Sequence, residues 1–339
     1  MPSNFPKVHA DAMAAAAADR SVPATNRWGT TFFHADAGAE SAYTARQLEA
    51  LRPGVIAQSF PEFTWSKMLP VNTQVSNGAE QITATFTTQS GEVLVSRDMK
   101  GIIPRSDMAT DQSTLQFYSI MNSYGYTFQE ARAAMMAGLP LQAAKATNAR
   151  EQLERKLDDM MMVGDTATGM QGLLSITGVA TYSIPTTGTG GSKLWVNKDA
   201  DQVILDLASP AKAMAAATLG IEIPDTMVLP ISARDDIGSR RVGDGTSVTI
   251  LNYFLNNNPY IRGDNQIMVT PKSETLGSGS TRLGIVYKKD PSKLEAYVSQ
   301  PFEQFAPQTV SMEVTTACHI RHAGVFCYRT QSVSSFFGF

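Results

Sequence analysis

The chain has 339 residues, enough to bury about three quarters of its unfolded surface in one large or two smaller cores. Its 28 basic and 31 acidic side chains leave a net charge of -3, so no long-range field draws it to nucleic acid or an anionic membrane. Two cysteines, Cys318 and Cys327, argue against a disulfide framework, and no run approaches the ~20 apolar residues of a membrane span, so a soluble protein with free thiols is expected.

Residues 1–43 mix Ala, Pro, Asn, Thr and Gly without a sustained period, which reads as an arm that packs on something else. The alanines at 14–18 are followed by Asp19 and Arg20 and lack the long apolar core of an export signal. A short helix is expected next, capped by Thr44, with Leu48 and Leu51 on one face and Pro53-Gly54 as its stop.

From residue 60 to 104 the texture changes to strand, with runs at 63–71, 81–88 and 92–97 separated by the turn signals Asn77-Gly78 and Ser90-Gly91. Gln81, Thr83, Thr85 and Thr87 make one face too polar for an independent core, so this extended hairpin is expected to find its packing partner on another subunit. Trp65, Lys67, Asn77, Gly78 and Arg97 are its candidate inter-subunit residues.

A strand at 115–121 leads to Thr127-Phe128-Gln129-Glu130, a capping box that opens a long helix. The helix runs through Ala131, Ala134 and Met135, is interrupted at Gly138-Leu139-Pro140, and resumes through Leu153, Leu157, Met160 and Met161 to Gly164. At 1.5 Å per residue the whole element spans roughly 55 Å. Thr127 and Glu130 are read as its cap, and Pro140 and Gly164 as its hinges. The methionine clusters at 135–136 and 160–162 are assigned to core packing, and Asp158-Asp159 to a solvated helix face.

Glycines at 164, 169, 172 and 178 mark a boundary near residue 165. Beyond it the pattern predicts a helix over 199–219, a strand over 226–229, a helix over 246–255 and a strand over 266–269. Strands follow at 283–287 and 294–298, then a long one at 310–328 broken at Ala323-Gly324.

Tests for chemistry are mostly negative. Cys318, His319, His322 and Cys327 lack zinc-type spacing, and on a strand His319 points away from Cys318 and His322. Gly188-Thr189-Gly190-Gly191-Ser192-Lys193 has its Ser before its Lys, the reverse of a phosphate loop, and reads as a surface loop. Neither Gly243-Asp244-Gly245 nor Gly277-Ser278-Gly279 completes a dinucleotide fingerprint. Four histidines (His9, His34, His319, His322) leave little for a nucleophilic triad, so no catalytic residue, cofactor or metal is assigned. A carboxylate pair such as Asp235-Asp236 is the one enzymatic alternative.

The order of elements resembles the major capsid proteins of tailed bacteriophages with the Hong Kong 97-type fold. Leu69-Pro70-Val71 leading to Gly78-Ala79-Glu80-Gln81-Ile82 looks like the approach to their extended loop, and Gly164-Asp165 with residues 169–174 like the link leaving the spine helix. Pro224 to Pro230 resembles the central strand, and Gln300-Pro301-Phe302-Glu303 through Pro307-Gln308 the segment before the final strands. The chain departs from the pattern at Ser175, Ala323 and Thr330, where Asn, Gly and Pro are expected.

The resemblance implies an α+β capsid fold: an N-terminal arm with a short helix (1–58), an extended hairpin loop (59–105), a peripheral domain with the spine helix (106–165), an axial α/β domain (166–290) and returning strands (291–339). It implies a non-enzymatic shell protein forming hexamers and pentamers around double-stranded DNA that is not read by sequence. Scaffolding, portal and decoration proteins are its expected partners, with assembly in the host cytoplasm and residence in the virion. Some members of the family crosslink a loop lysine to an asparagine of a neighbour; Lys67 and Lys100 are the loop lysines here, but no partner asparagine matches, so no crosslink is assigned. An encapsulin-like nanocompartment shell is the alternative within the same fold.

Overall fold

Residue 61 opens the described part of the protein's computed structural model, which comprises residues 61–98 and 101–339. The expected arm, the helix capped by Thr44 and Lys100 lie outside the described residues. In chain order the first elements are α1 (Trp65–Met68), β1 (Val71–Asn72), the paired strands β2 (Gln81–Ser90) and β3 (Asp107–Gln116), then β4 (Tyr118–Thr127), α2 (Phe128–Ala137) and α3 (Leu141–Met162). After them come β5 (Gly164–Asp165), β6 (Met170–Gln171), β7 (Ala180–Ser183), α4 (Ala200–Ala217), β8 (Thr226–Pro230), α5 (Ile231–Ser239), α6 (Ile250–Asn257) and β9 (Ile267–Thr270). The last are β10 (Leu283–Tyr287), β11 (Leu294–Gln304), β12 (Gln308–Val310), β13 (Glu313–Cys327) and β14 (Val333–Phe337).

Two five-stranded sheets organise residues 61–339. The first has the order β1-β11-β13-β12, with β4 along the other edge of β13; the second runs β7-β14-β10-β8-β9. The strand β13 is the axis of the first sheet, pairing antiparallel with β4 from Glu313↔Thr127 to His322↔Tyr118. Helix α3 lays Ala149, Leu153, Leu157, Met161 and Met162 against this sheet, in one core with Ile320, Val298, Ala296 and Val325. Ala149, Leu153, Leu157 and Met161 recur every four residues and so share one helix face, and each fully buried Leu or Met contributes about 1.5–3 kcal/mol. A second core joins Met227, Leu229, Val286 and Phe336 of the second sheet to Val203 and Leu207 of α4, Ile237 of α5 and Phe254 of α6.

Several local expectations are corrected. Residues 63–71 hold the helix α1 in place of a strand. Residues 92–97 are irregular, because the partner of β2 is β3, in register from Gln81↔Gln116 to Ser90↔Asp107. The hairpin therefore extends to 116, past the boundary expected at 105, and the strand expected at 115–121 straddles Phe117, where the chain passes from the hairpin into the first sheet. The helix expected from 246 begins at Ile250, where the Thr249 hydroxyl accepts the Asn252 N–H at 3.4 Å. The strand β13 continues through Ala323-Gly324, its pairing with β11 accommodated by register shifts between Tyr297 and Glu303. Helix α5 and strands β7 and β14 were not anticipated from the sequence.

Candidate assembly surfaces

The hairpin is anchored at its root and bare beyond it. Ile82, Ala84, Phe86 and Leu115 pack on Phe117, Tyr297, Phe326 and Tyr328, with the Phe86 and Phe326 rings stacked at 6.4 Å. Arg321 donates to the Ala79 carbonyl at 2.7 Å and the Phe117 N–H to the Glu80 carbonyl at 2.9 Å, closing the root. Farther out, Thr83 and Thr114 bridge their hydroxyls across the ladder at 3.0 Å. At the far end residues 91–106 present Val93, Val95 and Ile102 at 89%, 94% and 94% exposure, with Leu94 and Ile103 also exposed. Two strands with no second layer are marginal in water, and a bare apolar tip marks a surface meant to be covered.

The sequence-predicted residues fall at different points of this element. Trp65 is half-buried against the α3 core, and Lys67 is exposed with its ammonium 2.8 Å from the Glu62 carboxylate. Asn77 and Gly78 form an exposed turn, and Arg97 lies in an exposed bend near the tip. The structure thus does not gather these five into one patch.

Helices α2 and α3 form a second surface. The Thr127 hydroxyl accepts the Glu130 N–H and the Glu130 carboxylate accepts the Thr127 N–H, both at 3.2 Å, so the expected capping box is present. Lys145, 3.1 Å from Glu130, and the Thr127 N–H hold that carboxyl below its ordinary range. Gly138, with φ at 67°, ends α2 in the left-handed region and leaves Pro140 exposed at the start of α3. No residue of α2 is buried. Met135 and Met136, assigned to the core by the sequence, are 73% and 94% exposed, because the Gly138-Pro140 break turns α2 away from the sheet that buries Met160–Met162. Between α2, α3 and β4 lies a groove of about 620 Å³ lined by Tyr124, Tyr126, Ala134, Met135, Leu139 and Leu141. At the other end of α3, Gly164 takes φ of 82°, and a Cβ there would lie 2.5 Å from the Met170 carbonyl, so the β5–β6 turn requires glycine.

Asp158 is the residue the sequence reading missed. In place of a solvated helix face, its side chain is only 6% exposed and accepts the N–H groups of Thr64 and Trp65 at 3.0 and 3.1 Å while pairing with Lys272. Only Asp159 faces outward, itself 2.6 Å from Lys272. The buried position of 158 follows from its place next to Leu157 on the apolar stripe of α3.

The groups tested for chemistry are spent structurally. Cys318 and His322 are buried in β13, while His319 stacks on Phe305 at 5.0 Å with Nε2 3.7 Å from Glu303. Among the described residues no cluster of three His, Cys, Asp or Glu side chains is disposed to hold a metal ion. In the glycine loop the Gly188 N–H donates to the Ser192 carbonyl at 3.0 Å, the Gly191 N–H to Gly188, and Lys193 to the Ser183 hydroxyl at 3.2 Å. These donors close the loop on itself. Nearby, the fully buried Lys198 ammonium meets Asp206 and the Pro185 carbonyl, both at 2.7 Å, pinning the loop to α4. Asp236 of the alternative carboxylate pair is engaged by Arg282 at 2.9 Å. Among the described residues no helix is long and apolar enough to cross a membrane.

Two sheets around a spine helix, with a projecting hairpin and apolar surfaces left bare, define a subunit built for assembly with others. The chain belongs to the major capsid protein family, whose model matches residues 98–336. Its fold is that of the capsid of Myoviridae phage XM1, with a TM-score of 0.77 at 16% identity over 88% of this chain and 100% of that one. The capsid of an empty GTA particle matches with a TM-score of 0.59 at 9% identity, over 88% and 97% of the two chains. A virus-like particle from Pyrococcus furiosus matches with a TM-score of 0.51 at 12% identity, over 80% and 91%. No curated protein sequence matches the chain. The protein is a structural subunit of a tailed-phage type of capsid, with the expected Hong Kong 97-type α+β fold.

Proposed function

We propose that many copies of this subunit form hexamers and pentamers of an icosahedral head, each hairpin lying over a neighbour's α3. The observation that carries this reading is the hairpin itself: a ten-residue ladder with a polar outer reach and a bare apolar tip, which gains partners only from another chain. Residues 166–290 serve as the axial domain around which capsomers close, and residues 106–165 with the returning strands as the peripheral one. Obligate contacts of this kind bury on the order of 2,000 Å² or more.

The enclosed double-stranded DNA is held without sequence recognition, in keeping with a net charge of -3. Scaffolding, portal and decoration proteins complete the head in the host cytoplasm. The protein itself performs no turnover. A second reading is an encapsulin-like shell that encloses protein cargo instead of a genome, which needs the same fold, one also found in the virus-like particle from Pyrococcus furiosus.

Negative-stain electron microscopy of the chain produced alone tests both. Closed shells, tubes or capsomer rings are expected, and a monomer at every salt concentration would overturn the assembly role. Particles purified from the native source should contain nuclease-protected DNA; protein cargo without DNA would favour the second reading.

A further inference from the structure

The two strands of the hairpin have unlike outer edges. The Phe117 N–H donates to the carbonyl of Glu80 directly across the ladder, which fixes the alternation of backbone groups along both strands. Even-numbered residues of β2 turn their N–H and C=O toward β3, and Gln81, Thr83, Thr85, Thr87 and Gln89 turn theirs outward. Even-numbered residues of β3, from Met108 to Gln116, also face outward.

On β3 two of the outward donors are already spent. The Met108 N–H donates to the Asp107 carboxylate and the Gln112 N–H to that of Asp111, each at 2.8 Å. Acids on an edge keep other strands off it. The β2 edge has no such guard: residues 81–90 carry no charge, and among the described residues no hydrogen bond reaches the backbone of Thr83, Thr85 or Thr87 from outside.

The outward set on β2 reads Gln-Thr-Thr-Thr-Gln, the same in both directions. An antiparallel copy centred on Thr85 therefore sets Thr85 against Thr85, Thr83 against Thr87 and Gln81 against Gln89. Every pair is neutral, and threonine hydroxyls facing across a ladder already bridge at 3.0 Å between Thr83 and Thr114. Continuing that register carries each bare apolar tip alongside the root of the other hairpin, where Val75 and Ala79 are only partly buried.

We propose that the hairpins of two copies pair edge to edge through β2 about a two-fold axis at Thr85, forming one four-stranded ribbon in the order β3-β2-β2-β3. The pairing rests on the assembly reading and names the partner of the hairpin's edge, leaving its faces for the neighbour's α3.

Single cysteines in particles assembled from the full chain, oxidised with diamide, test it. Directly opposed residues of a hydrogen-bonded pair stand about 5.5 Å apart at Cα, within disulfide reach. Thr85 is exposed, and Thr85→Cys alone is expected to give at least ~10-fold more disulfide-linked dimer on a non-reducing gel than Thr110→Cys on the guarded edge. Thr83→Cys and Thr87→Cys should link to each other in mixed particles and not to themselves. Wild type, with its Cys318 buried and Cys327 half-buried, should stay unlinked. If Thr85→Cys does not assemble, the mixture of Thr83→Cys and Thr87→Cys decides. Particles that form without these links, or that link equally through Thr110, would overturn the pairing and leave the assembly reading standing. Wild-type chain that forms no particles at any salt concentration would overturn both.

Discussion

His322 occupies the centre of β13, fully buried, opposite Tyr118 of β4 and near Val298 of β11. Neither ring nitrogen has a hydrogen-bond partner among the described residues. Burial, with the Lys156 charge adding to it, lowers its pKa to about 4. A histidine that resists protonation when folded stabilises the fold above its unfolded pKa of about 6.5, and this contribution is lost as pH falls from there through the folded value. Urea unfolding of the subunit at pH 7.5 and pH 4.5 should show roughly 2–3 kcal/mol more acid destabilisation in the wild type than in His322→Leu. Equal losses would mean that the imidazole is already solvated or partnered. Burial likewise pushes the Cys327 thiol up to about 11, as befits a structural thiol and not a nucleophile.

At the scale of elements, caps explain both what the sequence reveals and what it hides. The start of α2 was legible because both halves of its capping box lie within four residues, and its end because Gly138 and Pro140 are local signals. Helices α1 and α5 were not, because their caps come from far away. The Asp158 carboxylate that caps α1 lies 94 residues from Thr64, and Glu274, which binds the Ser232 N–H and hydroxyl at 2.9 and 2.6 Å, lies 42 residues from α5. The run 92–97 has strand-forming side chains but no pairing partner, and composition does not report partners. Since α2 buries nothing, its cap should dominate its stability. Thr127→Ala is expected to cost about 1 kcal/mol, confined to faster exchange of α2 amides. A loss spread through α3 would show that the two helices open as one unit.

Taken whole, the molecule keeps its buried cores and the exposed apolar residues proposed for assembly in separate places. The two cores use Leu153, Leu157, Met161, Leu229 and Phe254, and the apolar tip at 93–103 belongs to neither. Shell-building was therefore legible in the sequence only as an order of elements, through its resemblance to a family. The surfaces proposed to carry it are exposed apolar residues, which look like core residues until a fold assigns them an outside. Val95→Asp with Ile102→Asp should leave the subunit's unfolding free energy within about 0.5 kcal/mol of wild type, yet abolish particles in a sedimentation profile. Destabilisation of the isolated subunit by the same pair would place the tip in its fold.

The central claim, that the hairpin is completed by another copy of the chain, is tested most directly by hydrogen exchange over residues 91–106, compared between assembled particles and dissociated subunits. Strong protection of this stretch in the particles and rapid exchange in the free subunit is the predicted result. Equal, rapid exchange in both states would contradict it and leave the hairpin as an appendage to an assembly built from other surfaces.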